Sequence, residues 1–310
     1  MPVAAATIEA IQQALIQYKV VFFREQTQLD DQRQEAFAHL LGEPIAHPTV
    51  PVRDGTRFLM ELDGTRGQRA NSWHTDVTFV DAYPKASILR SVLAPKSGGD
   101  TVWANTSSAY NDLSVELRAL ADNLWAVHSN EYDYASLKPD VDPAKLERYR
   151  KVFTSTVYET EHPVVRVHPI SGERSLLLGH FVKRIKGYSQ ADSAHLFGLL
   201  QSHVIRQENT VRWRWKAGDV AIWDNRSTQH YAIDDYGTGY SNLQQLTRIA
   251  FGAGVGLGDE GHTQTLLRHD LLVRPLEEEE YIITYVLHKH QRFGLSEPVQ
   301  RFLTHVSTLT

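Results

Sequence analysis

Cysteine is missing from all 310 residues of the chain. That excludes disulfides, thiolate nucleophiles, iron–sulfur clusters and cysteine-ligated zinc together. Any metal must therefore be held by nitrogen and oxygen. No apolar run approaches the roughly 20 residues that cross a bilayer. The opening, Met1-Pro2-Val3-Ala4, lacks the basic-then-apolar form of a signal peptide, so a cytoplasmic protein without membrane partners is expected. Positive charge is not in excess either: 32 Lys and Arg stand against 37 Asp and Glu, a formal net charge of -5. Nucleic acid, which selects clustered basic surfaces, is not an expected partner. What is present is ordinary for a soluble globular protein: 42% hydrophobic residues, 22% charged residues and 15 histidines. A small-molecule ligand and a homo-oligomeric assembly are the expected partners.

Periodicity predicts a helix over Thr7–Tyr18, a short buried strand at Val20–Phe23 and a second helix over Thr27–Leu41. Thr27 and Asp30 occupy capping-box positions for that helix, and Gly42 stops it. Strands are expected at Asn71–Phe79, Ala86–Ala94, Val164–His168, Leu176–Leu178, Thr210–Trp215 and Val220–Trp223. Pro169–Glu173 reads as a hairpin turn, and Ser114–Leu124 and Ser189–Ile205 as amphipathic helices. Many short strands, interspersed helices and no repeated βαβ units favour a mainly β sandwich or jelly-roll core decorated by helices.

The most informative segment is Trp73-His74-Thr75-Asp76. Residues two apart on a strand share a face, so His74 and Asp76 would present an imidazole nitrogen and a carboxylate oxygen side by side. A second histidine, His230, comes 154 residues beyond Asp76, just after the strand ending at Trp223. Two histidines and a carboxylate on one face of an octahedron leave the other face open, the arrangement of iron(II) oxygenases. On its own a His-x-Asp triplet is common by chance, and a lone strand histidine is more often structural than a ligand.

The surroundings are more specific. Asn71–Phe79, Gly98-Gly99-Asp100-Thr101-Val102-Trp103, Gly218–Arg226 and Gln229-His230-Tyr231-Ala232 occur in the order and near the spacing of one family. The chain resembles the taurine dioxygenase/alkylsulfatase branch of the iron(II)/2-oxoglutarate dioxygenases, from about Ile8 to Tyr236. The resemblance implies a double-stranded β-helix (jelly-roll) fold, with iron(II) on His74, Asp76 and His230, and 2-oxoglutarate and molecular oxygen as cosubstrates. It also implies that Thr101 and Arg248 contact 2-oxoglutarate, Arg248 gripping the far carboxylate through its two-pronged guanidinium. It places His47, Phe181 and Asn71 at the substrate, with His47 a better anion partner if protonated.

Where taurine dioxygenases carry a tyrosine and an asparagine, this chain has Val50 and Ala70. Trp103-Ala104-Asn105-Thr106 and Asn130–Tyr134 look closer to the alkylsulfatase members. The expected substrate is thus a small anionic sulfur compound, an alkyl sulfate ester or an apolar alkanesulfonate. Oxidation beside the head group would release sulfate or sulfite and an aldehyde. Departures concentrate near the end: Gln244 stands where the family has a second arginine, Gly237–Gly239 looks inserted, and residues 251–310 show no resemblance. The expected organisation is a dioxygenase domain over 1–250 and an extension over 251–310. Taurine or aryloxyalkanoate oxidation, a zinc hydrolase with the same ligands, and an inactive metal-binding relic are the competing readings.

Overall fold

In the computed structural model, the described residues are 5–63, 70–131, 147, 156–236 and 242–250. Parts of the expected Asn130–Tyr134 stretch, the Gly237–Gly239 insertion and the 251–310 extension lie outside them.

The chain opens with helix α1 (Ala5–Tyr18), strand β1 (Val20–Phe23) and helix α2 (Asp31–Leu41). The α2 start is corrected from Thr27 to Asp31. Asp30 is the cap, its carboxylate accepting the Arg33 amide, and Gly42 closes the helix at φ 151°. A β-carbon at Gly42 would sit 2.7 Å from Ile249 Cγ2, so a glycine there also permits close helix–sheet approach. Short strands β2 (Pro44–Ile45) and β3 (Met60–Asp63) precede the long β4 (Ala86–Leu93) and β5 (Thr101–Asn105). Then come α3 (Thr106–Asn111), α4 (Val115–Ala121), β6 (Trp125–Ser129), β7 (Glu159–Pro163), β8 (Val165–Val167), β9 (Arg174–Leu176) and β10 (Val182–Ile185). Helix α5 (Gln190–Val204) leads to β11 (Thr210–Trp213), β12 (Val220–Asp224), β13 (Thr228–Ala232) and β14 (Leu243–Ile249).

Two antiparallel sheets form the centre. The larger runs β1-β12-β4-β14-β2, with β3 also on β14; the smaller runs β11-β5-β13. Successive strands cross between them: β4 to β5, β11 to β12 and β13 to β14 each leave one sheet for the other. That alternation is a jelly roll, as expected from the sequence. Its interior is apolar and aromatic, with Val20, Phe22, Met60, Leu89, Ala221, Trp223 and Leu246 from the large sheet meeting Trp103 and Trp213 from the small one. The strand alternation at β11 holds: Trp213 and Trp215 are buried while Arg212 and Arg214 face solvent. On the outer face of the large sheet, Ile11, Leu15, Ala38 and Leu41 of α1 and α2 pack on Ile88, Val220, Ile222 and Ile249.

One predicted strand does not form. Asn71–Phe79 contributes a single antiparallel bridge, His74 to His230, and then turns. Val77 takes φ 59°, in the left-handed region that a β-branched residue disfavours. The side chain of Asn225 substitutes for a neighbouring strand. It accepts the Asp76 amide at 2.9 Å and donates to the Asp76 carbonyl at 3.0 Å and the Pro84 carbonyl at 2.9 Å. Nor does His230 follow its strand: it lies inside β13, opposite Trp103.

Candidate metal centre

His74 and His230 are joined by two backbone hydrogen bonds, of 3.1 and 2.8 Å, although 156 residues separate them in sequence. The turn after Thr75 then brings Asp76 round to the same point. Asp76 Oδ1 lies 3.8 Å from the Nε2 of each histidine, and one ligand atom from each residue falls within a 4.8 Å group. Separations of that size accommodate an ion bonded to each atom at about 2.1 Å. All three side chains are buried.

Their protonation suits a cation. His74 Nδ1 is 2.7 Å from the Ser72 carbonyl, which fixes its proton there and leaves the Nε2 lone pair facing Asp76. Burial pushes both imidazoles down, His230 to about 3, so both are neutral near pH 7. Burial alone would raise the Asp76 carboxyl. The Arg248 guanidinium leads the opposing groups, with a 2.7 Å hydrogen bond from Ser87 to Oδ2 adding to it, and the carboxyl stays below its ordinary range. Two neutral nitrogens and an ionised carboxylate, with no sulfur, form a donor set that fits iron(II).

Arg248 sits on β14 beside Ser87 of β4, and its Nη2 is 3.5 Å from Asp76 Oδ1. Its Nη1 lies 3.8 Å from the Met60 sulfur, and Nε has no hydrogen-bond partner among the described residues, although the side chain is buried. A guanidinium so thinly satisfied suits an added anion. Thr101 is buried on β5, where its Oγ accepts the Trp215 indole N–H at 2.9 Å, so the hydroxyl proton can point elsewhere.

On the other side of the triad, Phe181, Phe79 and Val77 form a small buried cluster, flanked by Val80 and Tyr158. Phe181 lies 6.1 Å from the His74 ring and 5.0 Å from Phe79, and His47 is 6.1 Å from Phe79. His47 Nδ1 accepts the amides of Thr49 and Val50 at 3.2 and 3.0 Å, making Nε2 the N–H nitrogen. Burial, then Arg248, holds its pKa at about 3. The protonated form, which would make His47 the better anion partner, is thus disfavoured, and the neutral ring keeps an N–H donor at Nε2. Asn71 stands apart, half-buried, with its amide 3.5 Å from Asp234. The structure brings together His47, His74, Asp76, Phe181, His230 and Arg248.

Sequence reasoning gave no role to Ser87, Asn225 or Phe79. Asn225 and Phe79 lie inside the matched motifs, which was their available signal; Ser87 had none.

The comparisons agree with this geometry. Residues 1–249 match the model of the taurine catabolism dioxygenase TauD, TfdA family. The match extends past Tyr236 to include β14 and Arg248. An alpha-ketoglutarate-dependent sulfate ester dioxygenase of Pseudomonas putida is 74% identical, over 85% of this chain and 87% of that protein. An alkylsulfatase of Acinetobacter baylyi is 57% identical, over 88% and 86%. A crystal structure of a taurine dioxygenase from Burkholderia xenovorans superposes with a TM-score of 0.66 at 36% identity, over 81% of this chain and 83% of that one. A zinc hydrolase has no place in such company. A buried His–Asp–His triad inside a jelly roll, and a family match over residues 1–249 that spans every described strand of that roll, place this chain in the taurine catabolism dioxygenase TauD, TfdA family.

Proposed function

We propose that the chain is an iron(II)- and 2-oxoglutarate-dependent dioxygenase acting on alkyl sulfate esters or apolar alkanesulfonates, in the cytoplasm and as a homo-oligomer. In this reading residues 1–250 are the catalytic domain and 251–310 an extension. The observation that carries it is the buried His74–Asp76–His230 triad with Arg248 set against Asp76. The names of the relatives at 74% and 57% identity support the sulfate-ester substrate.

Bound iron(II), with 2-oxoglutarate and oxygen, would supply oxidation of the carbon beside the sulfur-containing head group, giving succinate, carbon dioxide, an aldehyde and sulfate or sulfite. His74, Asp76 and His230 would hold the ion through Nε2, Oδ1 and Nε2. Ser87 and Asn225 keep the carboxylate aimed. Thr101 and Arg248 would bind 2-oxoglutarate, Arg248 from beside the metal. His47 would donate its Nε2–H to a sulfate oxygen. Phe79, Phe181 and Val77 would take the alkyl chain and exclude water, fixing the reacting carbon near the metal. The apolar character of that cluster suits an alkyl chain better than taurine's ammonium end. Asn71 would contribute from the rim.

The test is succinate formation by protein given iron(II), 2-oxoglutarate and oxygen, with and without a medium-chain alkyl sulfate, and with His74→Ala as control. Succinate that rises with the sulfate and vanishes in the variant is expected. Preferential turnover of taurine or an aryloxyalkanoate would overturn the substrate. Absence of succinate from folded, iron-loaded protein would overturn the reaction.

A further inference from the structure

Three consecutive polar residues where β6 ends, His128, Ser129 and Asn130, are all fully buried. Each is bonded to a different segment, and each of those segments carries one ring of the apolar cluster beside the triad. His128 Nδ1 lies 2.9 Å from the hydroxyl of Thr78, the residue before Phe79. The Ser129 amide donates to the Phe181 carbonyl at 2.8 Å. Asn130 uses its side-chain amide on the third segment: Oδ1 accepts the Tyr158 N–H at 2.8 Å, and Nδ2 donates to the Thr156 carbonyl at 2.8 Å. The β6–β7 ladder ends by pairing Ser129 with Glu159. Beyond that pair the Asn130 side chain takes the backbone groups that a further strand residue would have taken.

The three rings form a file. Phe181 is 6.1 Å from the His74 ring, Phe79 is 5.0 Å from Phe181, and Tyr158 is 6.1 Å from Phe79. Burial falls along it: Phe181 and Phe79 are enclosed, Tyr158 is half-buried, and Val157 beside it is 55% exposed. The file thus leads from the triad to the surface. We infer that Tyr158 is a specificity-determining contact for the outer part of the alkyl chain, and that Asn130 is the positioning residue that holds its ring in line. This rests on the proposed function and deepens it by adding a chain-length preference. A chain whose head group sits at the triad meets Phe181 and Phe79 first and reaches Tyr158 only if it is long. Each methylene taken out of water against an apolar face strengthens binding, so a chain that ends before Tyr158 forfeits that part. His128 acts on the middle of the file and Ser129 on its inner end, which leaves Asn130 as the residue that sets the rim.

The test is binding without turnover. Full-length protein loaded anaerobically with iron(II) and 2-oxoglutarate is titrated calorimetrically with ethyl sulfate and, separately, with octyl sulfate. The ratio of the two Kd values measures the preference for the long chain. Tyr158→Ala and Asn130→Ala should each lower that preference about tenfold. Tyr158→Phe should keep it, because the ring and not the hydroxyl makes the contact. A merely structural role for Asn130 would weaken both sulfates together and leave the ratio where it was. Tyr158→Ala changes a half-buried side chain, so it decides the matter even if Asn130→Ala does not fold. An unmoved ratio in Tyr158→Ala, a ratio lost as fully in Tyr158→Phe, or a wild type that binds the two sulfates alike would overturn the assignment and leave the proposed function standing. Wild-type protein that binds neither sulfate would overturn both.

Discussion

Asp76 is positioned from several sides, and each contact has a separable effect. Ser87 fixes the carboxylate plane, Asn225 fixes the backbone on both sides of the peptide, and Arg248 supplies the charge. Removing the Ser87 hydroxyl takes away a hydrogen bond to an ionised group, worth roughly 1.5–3 kcal/mol. Ser87→Ala is expected to weaken metal binding about 10- to 100-fold while the fold persists, which titration with cobalt(II) would show by its visible spectrum. A second residue-scale effect concerns pH. His128 is fully buried, with Nδ1 on the Thr78 hydroxyl at 2.9 Å and Nε2 unpartnered, and burial with the neighbouring His162 holds its pKa at about 3. In the unfolded chain an imidazole titrates near 6.5. Between those values the unfolded state carries the extra proton, so this contribution to stability is complete above about pH 6.5 and is lost as pH falls towards 3. The slope is about 1.4 kcal/mol per pH unit for one such group. Urea unfolding between about pH 4 and pH 6 should show it, and His128→Gln should flatten the curve by about that amount. An identical slope in the variant would assign the acid sensitivity to other groups.

At the scale of elements, the metal site depends on a tight crossing. Gly179 takes φ 99°, and a β-carbon there would lie 2.9 Å from the Trp73 carbonyl and 3.2 Å from His74 Cα. Gly179→Ala combines left-handed strain, of order 1–3 kcal/mol, with a push on the segment carrying His74. Thermal unfolding and metal titration of that variant should both suffer; a loss of stability with unaltered metal affinity would show that the crossing does not set the ligand. The same segment explains what the sequence could and could not disclose. Helices α1 and α5, and strands β1, β4, β11 and β12, carry hydrophobic periodicity and lie close to where it puts them. Strand β13, Thr-Gln-His-Tyr-Ala, is legible as a motif but not as a strand, because its polar residues are buried by neighbours rather than by their own character. The expected strand at Asn71–Phe79 fails for the opposite reason. Its apolar content is real, but a side-chain amide 149 residues away takes the backbone groups that a ladder would have used. Composition along a segment cannot reveal a partner so distant. The His–Asp–His triad was readable because its residue types and order are constrained by chemistry; Ser87 was not, since serine in a strand has no signature of its own.

For the whole molecule, an ion on three buried ligands that exist together in the folded state alone must stabilise that state. With metal about 100-fold above its Kd the gain is about 2.7 kcal/mol, or about 5–10 °C in Tm for a domain of this size. Manganese(II), which avoids oxidation during heating, should raise Tm by that amount in the wild type and not in His74→Ala. An equal rise in both would place the stabilising ion elsewhere.

The strand order has a further consequence for synthesis in the cell. Strand β14, the last of the described strands, lies between β4 and the early β2 and β3, and β13 carries a ligand whose backbone is bonded to His74. Contacts spanning so much sequence form late and slowly. As the chain leaves the ribosome, His74 and Asp76 emerge long before His230 and Arg248. For most of translation the nascent polypeptide thus carries two members of the triad without the third. The triad therefore closes only once β13 has been made and has paired with the His74 segment, so an ion that needs all three side chains is taken up by the folded chain.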